Sequence, residues 1–287
     1  MRNAAPDDGP STAPVTEFVA TNASGGSDTD SAAAGSRLER VRRGASARRR
    51  PAAVSRGVRV AAPTEEPYVD RVNSDEWVDR FNRVYREAAG DIDAVPWSHE
   101  KASPSLVRWL DGEGRRLAPV GSRVAVVGCG LGADAVELVD RGYEVTAFDA
   151  CVEAIRWARR KNPGLEHIFR VIDVLTLPEG MRGRFDVVVE VHTLQALPPE
   201  FRSSLARGMS DLLAPGGVLV AVARGRTEAE PLDERAGPPY AFTAGELRHT
   251  LTSVGLSMVG EVDERLDDNR PPVRRLTATA TARRSRG

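Results

Sequence analysis

The stretch RVAVVGCGLGADAVELVDRGYEVTAFDA, Arg123 to Ala150, decides the architecture. It opens on a continuous apolar run, Val124–Val127, as expected for a parallel strand buried on both faces. Gly128, Gly130 and Gly132 follow at once. A turn that reverses sharply and lets a ligand approach the backbone has no room for side chains. The helix expected over Ala133–Val139 offers free N–H groups at its N-terminus, suited to a phosphate, a carboxylate or a ribose edge. A second strand, Glu144–Phe148, ends at Asp149. That position, about 20 residues past the loop, is where an acid accepts hydrogen bonds from ribose hydroxyls. The loop fits two nucleotide-binding templates at once, and the acid at the matching distance argues against a glycine turn without a ligand.

Outward from this unit the pattern keeps alternating. Helices are expected over Val152–Arg160, Pro199–Leu213 and Ala244–Val254. Strands are expected over His167–Ile172, Phe185–Val191, Val218–Ala223 and Leu256–Val262. The segment Pro272 to Arg284 alternates as a strand with one polar face. Repeated βα units predict an α/β fold: a single doubly wound, Rossmann-like seven-stranded sheet with helices on both sides. It is mostly parallel, and a short link, Asp263–Pro271, turns the last two strands into an antiparallel C-terminal hairpin.

Upstream, residues 1–62 read as a disordered, arginine-rich tail, because "TNASGGSDTDSAAAGS" contains little that could build a core. Its arginines, from Arg37 to Arg59, carry no interleaved aromatic residues for base stacking, so a solvated tail is preferred to a nucleic-acid arm. Residues 63–120 read as an N-terminal helical cap. Trp77, Phe81 and Tyr85 share one helix face, with Ser74 or Asp75 as the cap, and Pro104 opens a second helix from Ser103. Residues 121–287 form the nucleotide-binding domain. The 287 residues carry a net charge of −1, which gives no general pull toward nucleic acid or anionic membranes. Two cysteines without a paired spacing suggest a reducing, cytoplasmic setting, and no apolar run approaches the ~20 residues needed to span a bilayer. No membrane partner is expected, and a nucleic-acid partner is disfavoured.

"GCGLGA" alone satisfies both G-x-G-x-x-G/A, for NAD, and G-x-G-x-G, for S-adenosylmethionine. Later features break the tie. "RVIDVLTLP" places Asp173 just past the third strand, "FDVVVEVHTLQALPPEFR" places Glu190 and His192 at the end of the fourth, and "LLAPGGVLVAVA" is a helix end, a turn and a strand. From about Val124 to the C-terminus this order resembles the class I S-adenosylmethionine-dependent methyltransferases. "PWSHEKASPSLVRWL", "VVEVHTLQALPPEFR" and "GPPYAFTAGELRHTL" are similar to the bacterial thiopurine S-methyltransferase-like branch, although "SHEKAS" stands where that branch has a glycine-containing run. The resemblance implies S-adenosylmethionine as cofactor, held by Gly128, Cys129, Gly130, Leu131, Gly132, Asp149, Ala150, Asp173, Val174 and Glu190. Asp149 would hold the ribose and Asp173 would lie beside the adenine.

Methyl transfer needs alignment above all. A thiolate acceptor needs little base assistance, whereas a hydroxyl needs a base with a pKa near the working pH. His192 is the candidate catalytic base and substrate contact, the alternative being a histidine that only packs beside the cofactor. Trp97 is expected to cover the cofactor or the substrate, or else to plug the helix–sheet seam. Arg224 and Arg226, past the fifth strand, and Tyr240 are candidate substrate contacts. Arginine grips a carboxylate bidentately, and a pair with Glu228 or Glu230 is the alternative. Cys129 reads as a small filler. The remaining histidines have no ligand-like spacing, so no metal is expected. Three other readings remain open: methylation of nucleic acid or protein, an NAD(P)-dependent oxidoreductase, and a cofactor-binding scaffold without turnover.

Overall fold

The computed structural model describes residues 69–283. The expected tail, residues 1–62, and the first residues of the cap segment lie outside that range. The cap begins with α1, Val69–Glu87. Ser74 lies inside this helix and not at its start, so neither Ser74 nor Asp75 caps it. The apolar spacing located the helix but not its first residue. Helix α2, Pro104–Asp111, starts as expected, with Ser103 at the cap and Pro104 in the first turn, where a missing N–H costs nothing. A short α3, Gly114–Leu117, leads into the sheet.

The sheet contains β1, Arg123–Val127; β2, Glu144–Asp149; β3, Phe169–Val171; β4, Phe185–Val191; β5, Leu213–Arg224; β6, Ser257–Met258; β7, Asp263–Leu266; and β8, Arg274–Thr281. The helices between them are α4, Ala133–Asp140; α5, Val152–Lys161; α6, Arg202–Leu212; and α7, Ala244–Ser253. The strand order is β3-β2-β1-β4-β5-β8-β6, with β7 also paired to β8. Strands β1 to β5 are parallel, and β8 runs antiparallel to β5, β6 and β7.

The expected final hairpin therefore forms in a modified way. The strand expected over Leu256–Val262 is only two residues long. It breaks at Gly260, whose φ of +71° lies in the left-handed region, and pairing resumes as β7 inside the stretch expected to be a loop. β6 and β7 thus form one interrupted edge along β8. The residues of β7, Asp-Glu-Arg-Leu, are all exposed, and charge on an edge strand discourages pairing with another chain. At β5, pairing begins at Leu213 opposite Phe185, and an irregularity before Val187 absorbs the Pro-Gly-Gly turn.

The strands explain the two cores. Val124 and Val126 of β1 face a cluster with Leu106 and Trp109 of α2, Leu138 of α4 and Ile155 of α5. Ala125 and Val127 face the opposite cluster, with Leu205 and Met209 of α6 and Leu247 and Leu251 of α7. This is the period-two alternation of a strand buried on both sides. A third cluster joins the cap to the sheet: Tyr85, Ala88 and Val95 pack with Leu131, Ala154 and Trp157. Trp109 Nε1 also donates to Thr279 Oγ1 at 2.9 Å, tying α2 to β8.

Helix α6 comes unusually close to the 3₁₀ turn Val174–Thr176. A Cβ added at Gly208 would lie 2.2 Å from the Val174 carbonyl oxygen. Backbone cannot retreat as a side chain can, so Gly208→Ala is expected to cost about 1–3 kcal/mol of stability. Urea denaturation of the variant measures that loss; an unchanged midpoint would contradict the close approach.

Candidate functional site

Strands β1, β2 and β4 end level with one another. Val127 lies opposite both Phe148 and Glu190. The glycine loop emerges at this carboxyl edge, which is where open α/β sheets bind ligands. Cys129 N donates to Phe148 O at 3.0 Å, keeping the loop against β2.

The three glycines do different jobs. A Cβ at Gly128 would come within 2.3 Å of Thr193 Oγ1, and one at Gly132 within 2.5 Å of the Phe169 ring. Both are required by packing against the protein itself. A Cβ at Gly130 would meet only the Tyr85 hydroxyl, at 3.3 Å. Gly130 is thus the position where the bare backbone leaves room beside the loop. Its φ of +51° is also in the left-handed region.

Asp149 secures the loop. Its Oδ2 accepts from Gly130 N at 3.0 Å and its Oδ1 from Cys151 N at 2.8 Å. Burial raises its pKa, and the two N–H donors oppose that rise. Ala150 continues the turn. Asp173 ends the stretch after β3, with Oδ1 accepting from Leu175 N at 2.8 Å, and burial raises its pKa too. Val174 beside it is buried against α6. Leu131 is brought to the loop but turns its side chain away into the cap cluster, leaving its backbone as its contribution to the crevice. Burial and the nearby Asp149 push the thiols of Cys129 and Cys151 up. Such thiols are inert.

Trp97 belongs to the cap. It donates from Nε1 to the Tyr85 hydroxyl at 2.8 Å and meets Phe81 and Tyr85 edge-on. It reaches the glycine loop through Tyr85. The sequence placed Tyr85 on the apolar helix face but did not mark it as a site residue. Its hydroxyl nevertheless borders the space at Gly130.

At the end of β4, two buried groups are shifted in opposite directions. Glu190 is fully buried, and burial pushes its carboxyl up to about 8. Its Oε2 accepts from Thr193 N at 2.9 Å and Leu194 N at 3.1 Å. His192 has a φ of +67°, a conformation that costs energy for a residue with a Cβ and that gathers at functional sites. Burial, the Arg275 guanidinium and His99 push its imidazole down to about 4. Glu190 Oε1 and His192 Nδ1 are buried with no hydrogen-bond partner among the described residues. Native proteins rarely leave such atoms unsatisfied.

The candidate substrate contacts separate. Arg224 keeps an exposed side chain at the end of β5, and its N–H donates to Gln195 Oε1. Arg226 is already engaged. It pairs with the Glu246 carboxylate and donates to Glu230 O at 2.7 Å, so the expected free grip on an acidic substrate is replaced by an internal pair. Arg202 joins this group, stacked over Phe242 at 3.7 Å. Tyr240 is buried, edge-on to Trp77 at 6.2 Å, which makes it part of the wall between cap and sheet. Gln195, buried, links three segments, because its backbone oxygen also accepts from Tyr240 N at 2.8 Å. Among the described residues, no group of three or more His, Cys, Asp or Glu could hold a metal ion. None of the helices described is long and apolar enough to cross a membrane.

Residues 124–217 match a family model described as a methyltransferase domain. Over this segment the chain is similar to class I S-adenosylmethionine-dependent methyltransferases. It is 28% identical over 189 residues to a probable thiol methyltransferase 2 of Arabidopsis thaliana, covering 63% of this chain and 76% of that one. It is 34% identical over 116 residues to a ubiquinone biosynthesis O-methyltransferase of Xanthomonas axonopodis pv. citri, covering 40% and 48%. The solved 1,6-didemethyltoxoflavin-N1-methyltransferase of Burkholderia thailandensis shares the fold. Its TM-score is 0.58 at 21% identity, with 78% of this chain and 93% of that chain covered.

The crevice of this methyltransferase fits the cofactor: a side chain at Gly130 would fill the space bordered by the Tyr85 hydroxyl, and the carboxylates of Asp149 and Asp173 stand at the ends of β2 and β3. Gly130→Arg is expected to abolish S-adenosylmethionine binding in calorimetry while the protein stays folded by circular dichroism. Gly128→Ala and Gly132→Ala are expected instead to lower the melting temperature. Retained binding by the first variant would move the cofactor elsewhere.

Glu190 gives a pH signature. Its folded pKa lies above its ordinary value of 4.5. The fold therefore favours the protonated form, so its contribution is fully present below about pH 4.5 and is lost as pH rises through about 8. Glu190→Gln mimics that form. Its melting temperature relative to the unmodified protein is expected to rise between pH 5 and pH 8; a flat difference would show that the carboxyl ionises freely.

Proposed function

We propose that this enzyme methylates a small soft nucleophile, a thiol or selenol, that reaches the crevice already ionised. When bound, S-adenosylmethionine supplies a methyl group activated by a sulfonium. Gly128, Cys129, Gly130, Leu131 and Gly132 would pass beneath it, Asp149 and Ala150 would hold the ribose, and Asp173 and Val174 would flank the adenine. Glu190 lies next to the crevice, and Trp97 acts through Tyr85 at its rim. Arg224, exposed at the end of β5, would meet an acidic part of the acceptor.

The observation that carries this reading is the state of His192. An imidazole pushed down to about 4 is neutral at pH 7 and a poor proton acceptor, while general-base catalysis wants a pKa near the working pH. A thiol, with a pKa of about 8.5, supplies its own anion. The likeness to a thiol methyltransferase supports the same class. The place after β4 where amino-directed nucleic-acid enzymes of this fold carry an Asp/Asn-Pro-Pro-aromatic motif reads "EVHT", which supports a small acceptor over nucleic acid. Both cysteines are free, which supports a reducing, cytoplasmic setting.

One observation favours a second reading. Glu190, at about 8, could accept a proton from a phenol, and a ubiquinone O-methyltransferase is among the relatives.

A screen of S-adenosylhomocysteine release over thiols, selenols, phenols and amines separates the two. Thiols and selenols are expected to turn over, with kcat/KM following the acceptor's own ionisation. Turnover of phenols alone, lost in Glu190→Gln, would establish the second reading instead.

A further inference from the structure

Tyr85 carries a hydroxyl proton that the protein itself does not use. The side chain lies on the apolar face of α1, packed with Leu131, Ala154 and Trp157. Its ring meets Trp97 edge-on at 5.8 Å and Trp157 at 6.4 Å, so its direction is fixed. Its oxygen receives the Trp97 indole N–H at 2.8 Å. Among the described residues this is the one hydrogen bond the hydroxyl makes. Indole nitrogen only donates, so the phenol oxygen is the acceptor in it and the phenol's own proton is left over. That proton is also retained. Burial and the Asp149 carboxylate hold the phenol well above its ordinary value of 10.

What the hydroxyl borders follows from the glycine loop. Apart from the neighbours of Gly130 in the chain, the Tyr85 hydroxyl oxygen is the single atom within 4 Å of the place a Cβ on Gly130 would take, at 3.3 Å. Glycine leaves that place unfilled. The N–H of the same residue is held by Asp149 Oδ2 at 3.0 Å, so the phenol and the carboxylate meet at one glycine.

The strand order says which part of a ligand comes there. Strands β3, β2 and β1 are neighbours in the sheet. Under the cofactor reading, adenine lies by Asp173 after β3 and ribose by Asp149 at the end of β2. One strand further along the same edge, a step of about 4.8 Å, the tip of β1 carries the glycine loop. Beyond its ribose, S-adenosylmethionine has an amino-acid tail with an ammonium and a carboxylate. Ammonium has donors only, so of the two charged groups the carboxylate alone can take a phenol proton.

We propose that the Tyr85 hydroxyl donates a hydrogen bond to the carboxylate of the S-adenosylmethionine tail beside Gly130, with Trp97 as the positioning residue that turns the hydroxyl toward it. This rests on the cofactor reading above. No covalent bond changes, and the proton stays on the phenol oxygen. The cap thereby recognises the whole cofactor and not its nucleoside part alone. S-adenosylhomocysteine keeps the same carboxylate and is held in the same way.

Calorimetry with two ligands tests this without turnover. S-adenosylmethionine and its decarboxylated form differ in the carboxylate alone. Tyr85→Phe keeps the ring and removes the hydroxyl. Its affinity for S-adenosylmethionine is expected to fall about ten- to a hundredfold, the scale of a hydrogen bond to a charged group, and its affinity for the decarboxylated form by less than about twofold. Trp97→Phe keeps an aromatic ring without the N–H. It is expected to show a smaller loss, again confined to the ligand with the carboxylate. Equal losses for both ligands in Tyr85→Phe overturn the proposal, because the hydroxyl would then serve the nucleoside or the packing of the cap. No loss for S-adenosylmethionine overturns it as well. Should circular dichroism show Tyr85→Phe unfolded, Trp97→Phe decides by the same comparison. If the unaltered protein binds neither ligand, the cofactor reading falls and this inference with it. If it binds S-adenosylmethionine and the losses ignore the carboxylate, this inference alone falls.

Discussion

Two hydrogen bonds to one carboxylate hold the ligand side of this protein together. Asp149 takes the N–H of Gly130 on one oxygen and that of Cys151 on the other. The first bond sets the path of the glycine loop, and the second sets the start of α5. Because both donors are backbone, they persist whatever side chains surround them. Each carboxylate oxygen has a second lone pair, so the same residue can brace the loop and still accept from a ribose. Gly128 and Gly132 fit the braced loop against Thr193 and Phe169. Gly130 is the least crowded of the three, its nearest neighbour being the Tyr85 hydroxyl. A loop defined only by its glycines would be floppy. Pinned at its centre, it becomes a preorganised surface.

The end of β4 shows the complementary constraint. Burial penalises charge of either sign, so it pushes a carboxyl up and an imidazole down. Glu190 and His192, two residues apart, shift in these opposite directions and both approach neutrality near pH 7. The fixed charge beside His192 is then Arg275, balanced by Asp267. A neutral floor with an anchored cation behind it is an environment that tolerates an incoming anion. Deprotonating a neutral guest would be a harder task there.

Much of this was legible in the sequence, for a physical reason. A buried parallel strand, a glycine turn and an acid at the next strand end are local patterns, each written within about ten residues. Val124–Val127, Gly128, Asp149 and Phe185–Val191 were therefore readable. The parts missed depend on distant partners or on single backbone choices. Arg275 is 83 residues from His192, and only the β5–β8 pairing brings them together. Arg226 looked available because Glu246, its partner, serves also in the cap of α7 with Thr243, a role that hides its second contact. The break at Gly260 turns on one positive φ that no periodicity announces. Leu131 lies in the loop by sequence but in the cap core by packing, since the cap's aromatic residues draw it away.

The place of β8 has a consequence for how the chain matures. Residues Val218–Ala223 of β5 are buried along their length, and one of their two edges is covered only by β8. That strand is among the last parts to be synthesised of the residues described. Until it threads between β5 and the β6–β7 edge, an apolar strand stands with its hydrogen-bonding groups unclaimed, the condition in which nascent chains find wrong partners. The crevice for the cofactor needs only β1 to β4, so it can be assembled earlier, and a ligand lodged there would steady the half-built sheet while its final strand is still on the way.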